Sequence, residues 1–151
     1  MLKSKILAII LVISMLLLGS CSLFGGVADE GEVTVVVETS EGYEVHKAQL
    51  GKVENKDKGA LGVIEHLSKE KNGLSYDADE TGFITSIGSI KQDPSAGAYV
   101  MVYTSVKTDS YEGAPTVQYE EMTLYQSGVG VKDMTVEDKT VILFRLEVYE
   151  F

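Results

Sequence analysis

The chain has 151 residues and carries 13 basic against 23 acidic side chains, which gives a formal net charge of −10. This length suits one domain of ordinary size. An acidic chain offers no basic patch that would neutralise phosphates, so we expect no nucleic-acid partner. The sequence has a single cysteine, Cys21, which excludes an intramolecular disulfide.

The N-terminal segment has the pattern of an export signal. Lys3 and Lys5 precede a run, residues 6–18, that is apolar except for Ser14, and small residues follow it. This run is short for a helix that stays in a membrane and is typical of a secretory signal peptide. It ends in "LGSC", residues 18–21, which resembles the lipobox of bacterial lipoproteins.

The lipobox resemblance implies that residues 1–20 are removed as a lipoprotein signal peptide and that Cys21 receives a diacylglycerol on its sulfur. Two acyl chains give stable anchoring, at ~0.8 kcal/mol per buried methylene. The expectation is therefore a protein anchored by lipid to a cell membrane, on its extracytoplasmic face. An ordinary secretory signal with an incidental cysteine is the alternative.

The chain after the signal divides into two parts. Residues 21–32 are small, Gly-rich and acidic, which predicts a flexible tether between the membrane and the domain. Residues 33–151 contain the periodic apolar segments and predict one folded domain.

The domain opens with a predicted hairpin and a predicted helix. "VTVVVET", residues 33–39, and "YEVHKAQLGKV", residues 43–53, predict two paired strands. "ALGVIEHLSKEKNG", residues 60–73, has apolar residues near a 3.6-residue period and predicts a helix. Asp57 is its expected N-cap, and Asn72-Gly73 is its expected stop.

Strand patterns dominate the rest of the chain. Predicted strands or extended segments occupy residues 74–77, 83–90, 97–106, 116–130 and 139–151. In the last of these, the alternation predicts that one apolar set faces the core: Ile142, Phe144, Leu146 and Val148. One helix among many strands defines an α+β domain, and the order of the elements favours a β-grasp (ubiquitin-like) mixed sheet with one covering helix.

Several of these segments resemble the C-terminal domain of transcobalamin and intrinsic factor, which bacterial secreted proteins and lipoproteins also carry. The most specific pieces are Gly82 with "ITSIGSI", residues 84–90, and the later run from Tyr125 through "SGVG" to "VEDKTV", residues 136–141. The resemblance implies a β-grasp fold, and a domain of this kind caps one face of cobalamin. In those carriers a separate helical barrel holds the other face, and this chain has no counterpart of the barrel.

Tyrosines are the first candidate ligand contacts. The sequence has eight tyrosines and no tryptophan, and Tyr99, Tyr103 and Tyr125 stand in the strands that are aromatic in the resembled family. Tyrosine offers flat contact with a polar tip, so these three are predicted to line a ligand face. Packing inside the sheet is the alternative. Cobalamin or a related corrinoid is the named candidate ligand.

A divalent cation is the second candidate ligand. Asp77, Asp79 and Gly82 match the first, third and sixth positions of an EF-hand calcium loop. Thr81 and Gly88 stand at the fifth and twelfth positions, where ligands are required, so an acidic turn leading into a strand is the alternative. The histidines at positions 46 and 66 are a weaker zinc candidate.

The sequence does not suggest an enzyme. It shows no nucleophile elbow and no glycine-rich phosphate loop, and its one cysteine is the expected lipid attachment point. We therefore predict a noncatalytic binding module at the bacterial cell surface. Its partner is expected to be a small ligand, a cation, or a surface protein or glycan.

Overall fold

The structure is a computed structural model that describes residues 25–150. The predicted signal peptide, residues 1–20, and the predicted lipid site, Cys21, lie outside the described residues. Between residues 25 and 150, no helix is both long and apolar enough to cross a membrane.

The described chain contains one α-helix, α1 (Gly59–Ser68), and eleven strands. The strands are β1 (Gly26–Val27), β2 (Glu32–Thr39), β3 (Gly42–Gln49), β4 (Tyr76–Ala78), β5 (Ile84–Ile87), β6 (Ile90–Lys91), β7 (Ala98–Thr104), β8 (Thr116–Tyr119), β9 (Met122–Gln126), β10 (Thr135–Val136) and β11 (Val141–Val148). The predicted strand over residues 83–90 is thus two short strands, because Gly88, with φ of +55°, turns the chain between them.

Six strands form the main sheet in the order β3-β2-β11-β7-β9-β8. The central strands β2 and β11 run parallel, and every other neighbouring pair in this sheet is antiparallel. The sheet curls, so that Tyr43 on one edge strand meets Tyr119 on the other with ring centroids 5.1 Å apart. The predicted class, a mixed sheet with one helix, is confirmed.

The main core lies between one face of this sheet and a layer made by α1 and the small sheet β4-β5-β6. We call this side of the sheet the helix face. Val35 of β2 and Phe144 of β11 are fully buried there, against Ile64 of the helix and Ile87 of β5. A smaller core lies on the opposite face and includes Tyr103, Tyr119, Leu124 and Leu143.

The burial of β11 differs from the sequence prediction. Ile142 and Phe144 are completely buried as predicted, but Leu146 and Val148 are 38% and 66% exposed. Leu143, on the supposed outer side, is 1% exposed because the curled sheet buries both faces of the strand's first half. Beyond Phe144, β2 no longer pairs with β11, so the second half of the strand has a neighbour on one side only.

The helix begins at Gly59, within one residue of the prediction, but it lacks the predicted cap and ends at Ser68, before the predicted stop at Asn72-Gly73. Asp57 lies in a short 3₁₀ turn, Lys56–Lys58, and makes no capping bond. Gly59 has a φ of +51°, and a Cβ there would collide with the backbone of Met134. The Leu61 N–H donates to the carbonyl of Val131, so a distant loop satisfies one of the free N–H groups at the helix start.

The predicted tether, residues 21–32, is part of the folded domain from Gly25 onward. β1 pairs in parallel with β10, and the Ala28 N–H donates to Val136 at 2.8 Å. Gly26 and Gly31 adopt φ values of +131° and +114°, which favour glycine. These glycines therefore fix a bent path instead of providing flexibility.

Replacing Phe144 by alanine tests the core assignment. Phe144 is fully buried in a central strand, so Phe144→Ala should lower the free energy of unfolding by about 3–5 kcal/mol. Val148→Ala is the matched control, since Val148 is on the same strand but 66% exposed. This substitution should change the free energy of unfolding by less than about 0.5 kcal/mol. Chemical denaturation measures both, and equal effects would contradict the burial pattern of β11.

Candidate functional site

A cleft of about 280 Å³ opens on the helix-face side of the molecule. One wall is the turn after β4, residues 81–84, and the other is the loop after β9, residues 127–131. The floor is formed by β7, residues 100–102, and by Phe144 of β11. The cleft therefore lies where two loops approach each other over the main sheet.

The cleft is lined mainly by apolar side chains. Ile84, Val100 and Val131 are buried in its walls and floor, while Phe83 and Val129 stand at the rim and are 45% and 38% exposed. The loop after β9 adds peptide groups, and a few polar side chains complete the lining: Thr81, Gln126 and Ser127. A concave apolar surface with a few polar groups is the usual chemistry of a small-molecule site.

Asp79 builds the first wall. Its Oδ1 accepts hydrogen bonds from the Thr81 N–H at 2.8 Å, the Thr81 hydroxyl at 2.6 Å and the Phe83 N–H at 3.0 Å. These bonds hold the pKa of the Asp79 carboxyl below its ordinary value, because they stabilise the charged form. The carboxylate thus fixes the turn that presents Phe83 to the cleft.

The predicted EF-hand segment is a β-hairpin. β4 and β5 pair antiparallel across the Asp79 turn, and Asp77 accepts a hydrogen bond from Ser86 at 2.9 Å. The Thr81 hydroxyl donates to the Asp79 carboxylate, so it is not directed at a metal site as the fifth ligand of an EF-hand would be. Across residues 25–150, the structure shows no group of three or more His, Cys, Asp or Glu side chains placed to hold a metal ion.

Each histidine side chain has an acidic neighbour. His46 on β3 bonds to the Glu44 carboxylate at 2.8 Å, and His66 on α1 lies 3.9 Å from the Glu70 carboxylate. Each imidazole thus lies near a carboxylate that is close to it in sequence.

Asp109 holds the second wall. This residue is 8% exposed, and its carboxylate accepts hydrogen bonds from the Thr135 N–H at 2.6 Å and the Thr135 hydroxyl at 3.1 Å. Its carbonyl accepts from the Gly128 N–H at 2.8 Å. Asp109 therefore joins the loop after β9 to β10.

The two walls touch each other at Gly82. The φ of Gly82 is +85°, and a Cβ there would collide with the side chain of Lys132. The aliphatic stem of Lys132 therefore lies across the glycine and links the second wall to the first. The positive φ of this turn favours glycine at position 82.

The three predicted tyrosine contacts do not share a surface. Tyr99 and Tyr103 lie on the face opposite the helix, whereas Tyr125 points to the other side of the sheet. The Tyr103 hydroxyl donates to Glu147, and burial with this hydrogen bond raises the pKa of Tyr103. Tyr125 lies under the Lys107 ammonium, 5.6 Å from the ring centroid. None of the three lines the cleft.

A wider, more open depression lies near the end of the sheet at which β2 turns into β3. It is lined by charged side chains, among them Glu38, Lys91 and Arg145. The Arg145 Nε lies 3.4 Å from Glu38 and 3.7 Å from Glu147, so its charge is balanced within the protein. The lining of this depression is about as polar as it is apolar, whereas the cleft is lined mainly by apolar side chains.

Comparisons with known proteins give one structural likeness. No protein-family model matches the chain, and no curated protein matches its sequence. A crystal structure from Ruminococcus gnavus ATCC 29149, described as a "putative metal binding protein", is similar with a TM-score of 0.50 and 16% sequence identity. The match covers 80% of this chain and 100% of that chain. At this identity the likeness concerns the fold alone.

Replacing Asp79 by alanine tests the role of its carboxylate in the turn. Because the folded state holds the pKa of Asp79 below 3.8, the stabilisation is present at neutral pH and is lost as pH falls through the folded-state pKa. Asp79→Ala should therefore lower the melting temperature at pH 7, and the difference from the unmodified protein should shrink below pH 3.8. Asp77→Ala, with one hydrogen bond to lose, is the control. A difference that is constant with pH would contradict the assignment.

Proposed function

We propose that this protein is a noncatalytic ligand-binding lipoprotein, held on the extracytoplasmic face of a bacterial cell membrane by lipid on Cys21. The cleft is the observation that supports a binding function. Its apolar floor and walls favour an apolar or flat ligand, and its peptide and polar side-chain groups provide a few hydrogen bonds.

The sequence supports the anchor. Lys3, Lys5 and the apolar run over residues 6–18 have the order of an export signal, and "LGSC" places a cysteine where lipoproteins carry their lipid. The structure describes the chain from Gly25, which follows that cysteine, so the predicted signal peptide does not overlap the described domain.

The topology supports a β-grasp domain. The β2-β3 hairpin is followed by α1, and β2 pairs in parallel with the last strand of the sheet, β11. This arrangement agrees with the resemblance to the C-terminal domain of transcobalamin and intrinsic factor, which caps one face of a corrinoid. The cleft, at about 280 Å³, lies just under the ~300–1,000 Å³ of sites that enclose a drug-sized ligand. A cleft of this size suits a small ligand or one edge of a larger one.

A thermal-shift screen tests the ligand site. The panel contains cobalamin and cobinamide, together with calcium, zinc and manganese with chelator controls, because the similar R. gnavus protein is described as a "putative metal binding protein". A ligand at a hundred times its dissociation constant adds ~2.7 kcal/mol to the free energy of unfolding, which raises the melting temperature by several degrees. We expect a shift with a corrinoid.

Two glutamate variants locate the site. Val129→Glu places a charge at the rim of the cleft and should abolish the shift. Val148→Glu makes the same substitution at an exposed strand position away from the cleft and should leave the shift unchanged. A shift that survives in Val129→Glu would exclude the cleft. A panel with no shift would favour a surface protein or glycan as the partner, and a chelator-reversible shift would favour the cation alternative.

Replacing Cys21 by serine tests the anchor. The serine hydroxyl does not take the thioether-linked lipid, so Cys21→Ser should move the protein from the membrane fraction and remove labelling by radioactive palmitate. Ser22→Ala changes the next residue and should keep both. Retention of Cys21→Ser in the membrane fraction together with palmitate label would contradict lipidation at Cys21.

A further inference from the structure

We propose that the two loop tips at the rim of the cleft, Phe83 and Val129, rest in the interfacial region of the membrane. The cleft then opens at the bilayer surface. This inference depends on the lipid anchor of the proposed function, but it does not depend on which ligand the cleft takes.

The connection between lipid and domain is short. Residues 22–24 separate Cys21 from Gly25, the first described residue. A chain of this length spans at most about 14 Å when fully extended. The part of the domain around Gly25 must therefore stay close to the membrane.

The entry point of the chain is fixed on the domain. Gly25 lies against the backbone of Asp133, where no Cβ has room. The Gly26 N–H donates to Met134 at 3.2 Å, and Lys56 forms an ion pair with Asp29 at 2.8 Å. Residues 25–29 are therefore held on the domain and do not lengthen the connection between Cys21 and Gly25.

The cleft is close to this entry point. The Asp133 N–H donates to the carbonyl of Gly130 at 2.9 Å, which closes a turn whose ends lie within about 7 Å. Gly130 lines the cleft, next to Val129. The rim is therefore on the order of 12 Å from Gly25, about a third of the ~35 Å diameter expected for a domain of this size.

The rim presents apolar side chains on two separate loops. Phe83 is 45% exposed on the Asp79 turn, and Val129 is 38% exposed on the loop after β9. Aromatic and aliphatic side chains of this kind bind at the boundary between headgroups and acyl chains. Beside the rim, Lys132 is accompanied by the acidic residues Asp79, Glu80 and Asp133, so no basic cluster attracts the rim to lipid headgroups, and we expect an apolar contact that is insensitive to salt.

The chain has no tryptophan, so a single tryptophan reports its own environment. The lipidated protein that carries Phe83→Trp is reconstituted in phosphatidylcholine vesicles. These vesicles contain phospholipid that is brominated near the top of its acyl chains. Tyr43→Trp is the matched control. Tyr43 is 52% exposed and lies beside the β2-β3 turn, about 25 Å along β2 from the end at which the chain enters the domain.

We expect bromine quenching of Phe83→Trp to exceed that of Tyr43→Trp at least threefold, with a blue-shifted emission that 0.5 M salt does not reverse. Val129→Trp, on the second loop, should behave like Phe83→Trp and serves if the first variant does not fold. Vesicle flotation is measured on the same samples. Floating protein in which both rim variants are quenched no more than Tyr43→Trp would overturn the membrane contact and leave the anchor intact. Protein that does not float would overturn the anchor, and the contact with it.

Discussion

The parallel pairing of β2 with β11 is the contact on which the rest of the structure depends. It joins Thr34 to Val141 and Val37 to Phe144, across more than a hundred residues of chain. β3 pairs with β2 on one side, and β7 pairs with β11 on the other, so the main sheet exists only when this pair has formed. Such a non-local pair is entropically costly, and it is stabilised because residues 35–37 of β2 and residues 141–144 of β11 are buried, on both faces of the sheet.

The cleft depends on this arrangement through the loop that leads back to β11. After β9 the chain must cross the helix side of the sheet before it enters the central position. On the way it gives its Val131 carbonyl to the N-terminus of α1 and its Thr135 groups to Asp109. The wall of the cleft is therefore held by the contacts that position the last strand, and the floor is that strand together with β7.

Sequence patterns predicted the elements that follow from local apolar periodicity, and they missed the features that depend on contacts with residues distant in the chain. Apolar periodicity located α1 and β11, and it assigned Ile142 and Phe144 to the core correctly. It failed at Leu146, whose exposure follows from the end of the β2 pairing. The cap of α1 was predicted wrongly, because the Leu61 N–H at the helix start donates to a carbonyl seventy residues away and Asp57 makes no capping bond. The cleft has no motif, since Phe83 and Val129 belong to loops that are distant in sequence.

The tyrosines show the same limit. Composition suggested a ligand face, because tyrosine combines a flat apolar ring with a polar tip. In the fold, the Tyr43 and Tyr119 rings meet where the two edges of the sheet approach. Glu147 accepts hydrogen bonds from both Tyr103 and Tyr149, so one carboxylate ties β7 to the end of β11. A curled sheet needs side chains that fill its interior and satisfy a hydrogen bond at its margin. The tyrosines meet that need as part of the sheet, whereas the cleft is built from apolar side chains of the two loops, β7 and Phe144.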